Sequence, residues 1–135
     1  MSFSGDLQHK QILVLGAGVT GCASARALQA RAVEVTVVDE SEITSSEFHI
    51  VKPSDVNVSD FDFVLVSPGW KESHPLIAQA QAAQITLLNE IDLAWAIKEE
   101  RSPGQKWLAL TGTNGKTTTV EMTAAALRAG FVLSP

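Results

Sequence analysis

Gln11-Ile12-Leu13-Val14-Leu15-Gly16-Ala17-Gly18-Val19-Thr20-Gly21 is the stretch whose reading settles the fold. An almost wholly apolar run ends at Gly16, the pattern of a strand buried on both faces of a parallel sheet. Gly16, Gly18 and Gly21 then fit Gly-x-Gly-x-x-Gly, and a helix rich in alanine and leucine follows from Val19 to about Ala30. In that arrangement the first glycine permits the turn, the second lets a diphosphate approach the backbone, and the third lets helix and strand pack closely. The diphosphate would sit on the helix N-terminus. A second strand, Val33 to Val38, ends in Asp39, about 20 residues beyond the glycines, where an acid accepts hydrogen bonds from a ribose or a base N–H. A strand-end acid without a ligand is the alternative.

Working outward, strands and helices keep alternating. Ser41 to Ser46 reads as loop, Phe48 to Val51 as a weak strand cut off by Pro53, and Phe61 to Val66 as a clear strand stopped by Ser67-Pro68-Gly69. A helix restarts at Pro75 and runs to about Ala83, because proline at a first-turn position loses no intrahelical bond. Ile85 to Leu88 is the next strand, and Asn89 is placed to cap a helix from Glu90 to about Glu100. Such alternation predicts right-handed crossovers and a parallel sheet with helices on both faces, an α/β, Rossmann-like unit over residues 1–101. Ser67, Pro68 and Gly69 fall at the carboxyl end of a strand, where open α/β sheets bind ligands, although a purely structural turn fits equally.

A second glycine loop stands close to the carboxyl end. Lys106 to Leu110 reads as an apolar strand, Gly112-Thr113-Asn114-Gly115-Lys116-Thr117-Thr118 follows it, and a helix runs from Lys116 to about Ala129. Strand, glycine loop and helix in that order form a phosphate-binding P-loop, in which backbone N–H groups cradle phosphates, Lys116 reaches the β- and γ-phosphates, and the Thr117 hydroxyl completes a Mg²⁺ shell. The spacing is tighter than usual, with Leu110 where the general pattern has its first glycine. Arg101-Ser102-Pro103-Gly104 is the strongest linker signal, so residues 102–135 read as the first strand, P-loop and helix of a truncated ATPase domain. The predicted strand lacks sheet partners and is expected to pack on the first unit, to self-associate with another chain, or to stay disordered.

Composition narrows the function classes. Fifteen acidic against ten basic residues give a net charge of -5, which argues against a nucleic-acid surface or an anionic membrane. Phosphate binding must then depend on local loops. The lone Cys22 cannot form an internal disulfide, and no secretion signal or membrane span is evident, so a cytoplasmic location is expected. His74 precedes Pro75, neither His9 nor His49 has a nearby Cys, Asp or Glu at metal spacing, and Trp70, Trp95 and Trp107 read as core or interface residues.

The order Gly-x-Gly-x-Thr-Gly, Ser-Pro-Gly, Leu-Asn-Glu-Ile-Asp-Leu and Thr-Gly-Thr-Asn-Gly-Lys-Thr-Thr resembles the Mur ligases of peptidoglycan synthesis, from about Lys10 to Ala129. Val19-Thr20-Gly21 favours the branch that adds D-glutamate to UDP-N-acetylmuramoyl-L-alanine. The resemblance implies that Gly16, Gly18, Val19, Thr20 and Gly21 approach the UDP diphosphate, that Asp39 contacts the uracil, and that Ser67, Pro68 and Gly69 flank the same site. It further implies that Gly112 to Thr118 bind ATP, with Lys116 catalytic through phosphate-charge stabilisation and Thr117 on Mg²⁺. The family reaction converts the L-alanine carboxylate to an acyl phosphate, which the amine of D-glutamate attacks. Because family members continue for hundreds of residues, the chain is expected to bind the uridine nucleotide but not to ligate alone. An NAD(P)-binding oxidoreductase or a nucleotide-sensing module is the competing reading from the first loop and Asp39.

Overall fold

The computed structural model describes residues 9–132 apart from 42, 44 and 46. Its centre is β1 (Gln11–Leu15), in which Ile12, Leu13, Val14 and Leu15 are all fully buried. Burial at successive positions requires cover on both faces, and the chain supplies it by alternating sides. α1 (Val19–Gln29) leads to β2 (Glu34–Val38) and β3 (Ile50–Val51), after which the chain crosses back to β4 (Phe63–Val66), α2 (Pro75–Ala82), β5 (Thr86–Leu88) and α3 (Glu90–Arg101). All pairings are parallel, and the order is β3-β2-β1-β4-β5.

The pleat of β1 sorts the core into two layers. Ile12 and Val14 pack with Ala25 and Leu28 of α1 and Leu93 of α3, whereas Leu13 and Leu15 pack with Leu76, Ile77 and Ala80 of α2. The parallel sheet with helices on both faces follows from the sequence pattern. α3 starts at a complete capping box: the Asn89 side chain accepts from the N–H groups of Ile91 (2.8 Å) and Asp92 (2.9 Å), and the Asp92 carboxylate accepts from the Asn89 N–H (3.0 Å).

Differences concentrate where pairing or turn chemistry overrides composition. β3 is two residues long rather than Phe48 to Val51, because Phe48 turns into the core and Pro53 opens a 3₁₀ turn over Pro53–Asp55. A second 3₁₀ turn, Val58–Asp60, is held by Asn57, whose side chain accepts from the Ser59 N–H, and it delays β4 to Phe63. The loop expected over Ser41 to Ser46 falls partly, and residues 133–135 wholly, outside the described residues.

The chain divides into two compact units between Pro103 and Gly104. In the second, α4 (Lys116–Val132) extends beyond the expected Ala129. The strand expected over Lys106 to Leu110 does not form. A strand is a property of a pair, and among the described residues this unit offers no second strand to complete a ladder. Leu108 and Leu110 consequently remain 73% and 46% exposed. Among the described residues no helix is long and apolar enough to cross a membrane.

Candidate functional site

The strand order reverses between β1 and β4, so the carboxyl ends of these neighbours open a crevice of the kind where α/β sheets take ligands. The ladder continues just past the strands to close its floor: the Gly16 N–H donates to the Val38 carbonyl at 2.7 Å and the Ser67 N–H to the Leu15 carbonyl at 3.1 Å. Gly16 has φ +105°, which turns the chain sharply into α1. Gly21, in the first turn of α1, lies so close to the Gly16 carbonyl that a Cβ there would stand 1.8 Å from its oxygen.

α1 begins at Gly18 with no side-chain cap and no acid in its first turn. Its leading N–H groups have no intrahelical acceptors and carry the positive end of the helix dipole. Directly beneath lies Ser67, 8% exposed, whose hydroxyl has no hydrogen-bond partner and would stand 3.1 Å from a Cβ placed on either Gly16 or Gly21. A buried hydroxyl without a partner is costly, and a ligand or water oxygen in the crevice would satisfy it.

Asp39 holds the loop in shape. One carboxylate oxygen accepts from the Ala17 N–H at 2.7 Å and the other from the Ser41 N–H at 2.8 Å. Burial pushes its carboxyl up, but N–H groups of Ala17, Ser41 and Glu40 together with the Ser41 hydroxyl outweigh this, so it lies below the ordinary carboxylate range. A depressed folded-state pKa contributes stability above the unfolded value of about 3.9, and that contribution is lost as pH falls through the folded value. Asp39→Asn should therefore lower the urea midpoint at pH 7 and flatten its decline between pH 5 and pH 2. Part of the acid slope should persist, because Asp62, held down by the Gln11 N–H, and Glu47, held down by Arg26, are lowered as well.

These groups meet around one cleft of 330 Å³, lined by Gly16 and Gly18 to Gly21, by Asp39, by Ser67 to Gly69, and by Trp70. Every residue that the sequence singled out for a diphosphate or its nucleoside thus lies on one surface. A second cavity, of 380 Å³, shares Asp39, Gly69 and Trp70 with the first and extends to Glu40, Lys71 and His74. Sequence reading missed Trp70, Glu40 and His74 as site residues. The signal for His74 was its place before Pro75: its Nδ1 accepts from the Leu76 N–H at 3.2 Å and caps α2. Cys22 donates its thiol to the Ala17 carbonyl at 3.1 Å and is half-buried, a packing role.

The second glycine loop belongs to the second unit. Gly115 has φ +73° and the loop curls so that the Lys116 ammonium donates to the Gly112 carbonyl at 2.5 Å, while the Thr119 N–H and hydroxyl both donate to the Gly115 carbonyl at 3.0 and 2.9 Å. Lys116 and Thr117 thus open α4, with the lysine folded back over the loop. Among the described residues no group of three or more His, Cys, Asp or Glu could hold a metal ion.

Comparison with known proteins bears on the same segments. Residues 10–89 match the family described as Mur ligase MurD-like, N-terminal domain. UDP-N-acetylmuramoylalanine--D-glutamate ligase of Thermobifida fusca is 36% identical over 135 residues, covering 92% of this chain and 28% of that protein. The ligase of the same name from Frankia casuarinae is 41% identical over 130 residues, covering 88% and 27% respectively. Among solved structures, UDP-N-acetylmuramate-alanine ligase MurC of Thermotoga maritima superposes with a TM-score of 0.54 at 22% identity over 89% of this chain and 29% of that one, a likeness of fold. The chain spans little more than a quarter of its curated relatives, 28% of the Thermobifida protein, and the matched segment contains both the glycine loop and Ser67 to Gly69. The chain belongs to the MurD-like Mur ligases.

Proposed function

We infer that the cleft between β1 and β4 holds the diphosphate of UDP-N-acetylmuramoyl-L-alanine, and that the protein of which this sequence is characteristic ligates D-glutamate to it at the expense of ATP, in the cytoplasm. The observation that supports this most is the convergence at one crevice of an uncapped helix N-terminus, a glycine-lined approach and the unpartnered, buried Ser67 hydroxyl. No lysine or arginine lines that cleft, so affinity for the diphosphate comes from oriented N–H groups rather than from side-chain charge, consistent with the acidic composition.

Named by role, Gly16, Gly18, Val19, Thr20 and Gly21 would approach the diphosphate, Ser67 would bond one of its oxygens, and Pro68 and Gly69 would form the opposite wall. Asp39 fixes the loop and stands at the nucleoside end. In the second unit, Gly112 to Thr118 have the curl that suits the ATP phosphates, with Lys116 neutralising charge on them. Mg²⁺ keeps several waters and is held largely through substrate phosphates, so the Thr117 hydroxyl is a sufficient protein ligand from this loop. ATP with its metal supplies the phosphoryl group that turns the substrate carboxylate into an acyl phosphate; the residues present here bind and orient. The exposed Leu108 and Leu110 favour self-association of this segment.

Calorimetric titration with UDP-N-acetylmuramoyl-L-alanine and NADH separates the readings. Binding of the uridine nucleotide with silence from NADH is expected; binding of NADH alone would overturn the assignment.

A further inference from the structure

The chain has three asparagines, Asn57, Asn89 and Asn114, and the structure treats the third differently from the others. The Asn57 side chain accepts from the Ser59 N–H at 3.3 Å and donates to Asp60 at 3.1 Å, and the Asn89 side chain accepts from the Ile91 and Asp92 N–H groups as the cap of α3. Each is followed by a residue with a sizeable side chain, Val58 and Glu90. Asn114 is followed by Gly115, and both are exposed. Among the described residues neither the Asn114 carboxamide nor the Gly115 N–H has a hydrogen-bond partner. The bonds that shape the loop run to either side of this peptide, from Lys116 to the Gly112 carbonyl and from Thr119 to the Gly115 carbonyl. A Cβ placed on Gly115 would meet nothing within 4 Å, so no neighbour confines the pair.

We propose that Asn114 is a site of spontaneous deamidation, and that phosphates bound in the loop suppress it. The Gly115 nitrogen attacks the side-chain carbonyl carbon of Asn114 and gives up its proton to water. The carbon–nitrogen bond of the carboxamide breaks, ammonia leaves, and a succinimide ring closes. Water then opens the ring at either carbonyl, leaving aspartate or, with the main chain rerouted through the side chain, isoaspartate. Nothing is oxidised or reduced. The attack needs a carboxamide free to turn, a nitrogen not otherwise engaged, and no side chain on the following residue to obstruct the approach. Asn114 meets all three conditions, whereas Asn57 and Asn89 fail the first and the last. The suppression rests on the reading of this loop as the cradle for the ATP phosphates: an oxygen that accepts from the Gly115 N–H ties up the attacking nitrogen. The products put a carboxylate where phosphates bind, so a loop left empty loses affinity with age.

The test is tryptic peptide mapping by mass spectrometry of the 135-residue chain, held at physiological temperature and pH for days with and without Mg²⁺-ATP, beside calorimetry of ATP binding to the fresh chain and to Asn114→Asp. Without ATP, the peptide 107–116 should gain almost one dalton and split into aspartate and isoaspartate forms, while the peptides holding Asn57 and Asn89 keep their mass. Bound ATP should hold that gain back. Asn114→Asp should bind ATP roughly tenfold more weakly, the scale of one like charge added close to a phosphate. Equal behaviour of the three asparagines would overturn the proposal. ATP binding that leaves the mass gain as fast as before would overturn the suppression, and an unchanged affinity in Asn114→Asp would overturn the loss with age. Absence of ATP binding by the fresh chain would overturn the ATP reading of the loop and the suppression with it, while the mass gain of the free chain still decides the deamidation.

Discussion

Gly21→Ala should lower the stability of the first unit by about 3 kcal/mol or more, the upper range for overpacking a rigid site. The added Cβ would stand 1.8 Å from the Gly16 oxygen, 2.9 Å from its carbon and 3.1 Å from the Ser67 hydroxyl. Two of these contacts are backbone, so no side-chain rotation relieves them. Either α1 lifts from β1 or the turn at Gly16 deforms, and both break the packing of Ala25 and Leu28 on the sheet. Domains of this size are stable by roughly 5–15 kcal/mol, so a large fraction of the total is at stake. Urea unfolding followed by circular dichroism checks this, with Gly69→Ala, which meets nothing within 4 Å, as the companion expected to match the wild type. A Gly21→Ala midpoint equal to the wild-type value would mean that α1 is not seated as described.

Gly18→Val separates binding from folding. A side chain at Gly18 meets nothing within 4 Å, and the residue is in extended backbone at φ -74° and ψ -173°, which valine adopts readily. Its branched side chain would, however, project from the N-cap over the leading N–H groups of α1. Charge-assisted hydrogen bonds of that kind contribute about 1.5–3 kcal/mol each, so affinity for a uridine diphosphate nucleotide should fall roughly 10- to 100-fold with a unit still folded. Unchanged affinity in calorimetry would place the diphosphate elsewhere.

Much of this was legible in the chain because it depends on local pattern. The successive apolar residues of β1, the glycines after it and Asp39 at the end of β2 lie within a short span, and their spacing alone fixes strand, turn and helix. Asn89 and Pro75 likewise mark helix starts through chemistry confined to one turn. What escaped reading depends on partners distant in sequence. Glu40 and His74 meet only because β2 and the segment after β4 lie on either side of β1. The buried Ser67 hydroxyl lies against Gly16 and Gly21, which are distant in sequence from its own Ser-Pro-Gly turn. Lys106 to Leu110 shows the converse: the composition suits a strand, but without a ladder partner its pattern has nothing to pair with.

If the crevice between β1 and β4 takes the nucleotide diphosphate, the backbone of the first glycine loop must respond to it. Amide shift mapping by nuclear magnetic resonance, with UDP-N-acetylmuramoyl-L-alanine titrated into the uniformly ¹⁵N-labelled chain, addresses it residue by residue. The largest saturable shifts should fall on Gly18, Val19, Thr20 and Gly21, with Ser67 and Gly69 following the same binding curve. Shifts confined to Gly112 to Thr118, or a saturable curve that leaves the first loop unmoved, would contradict it.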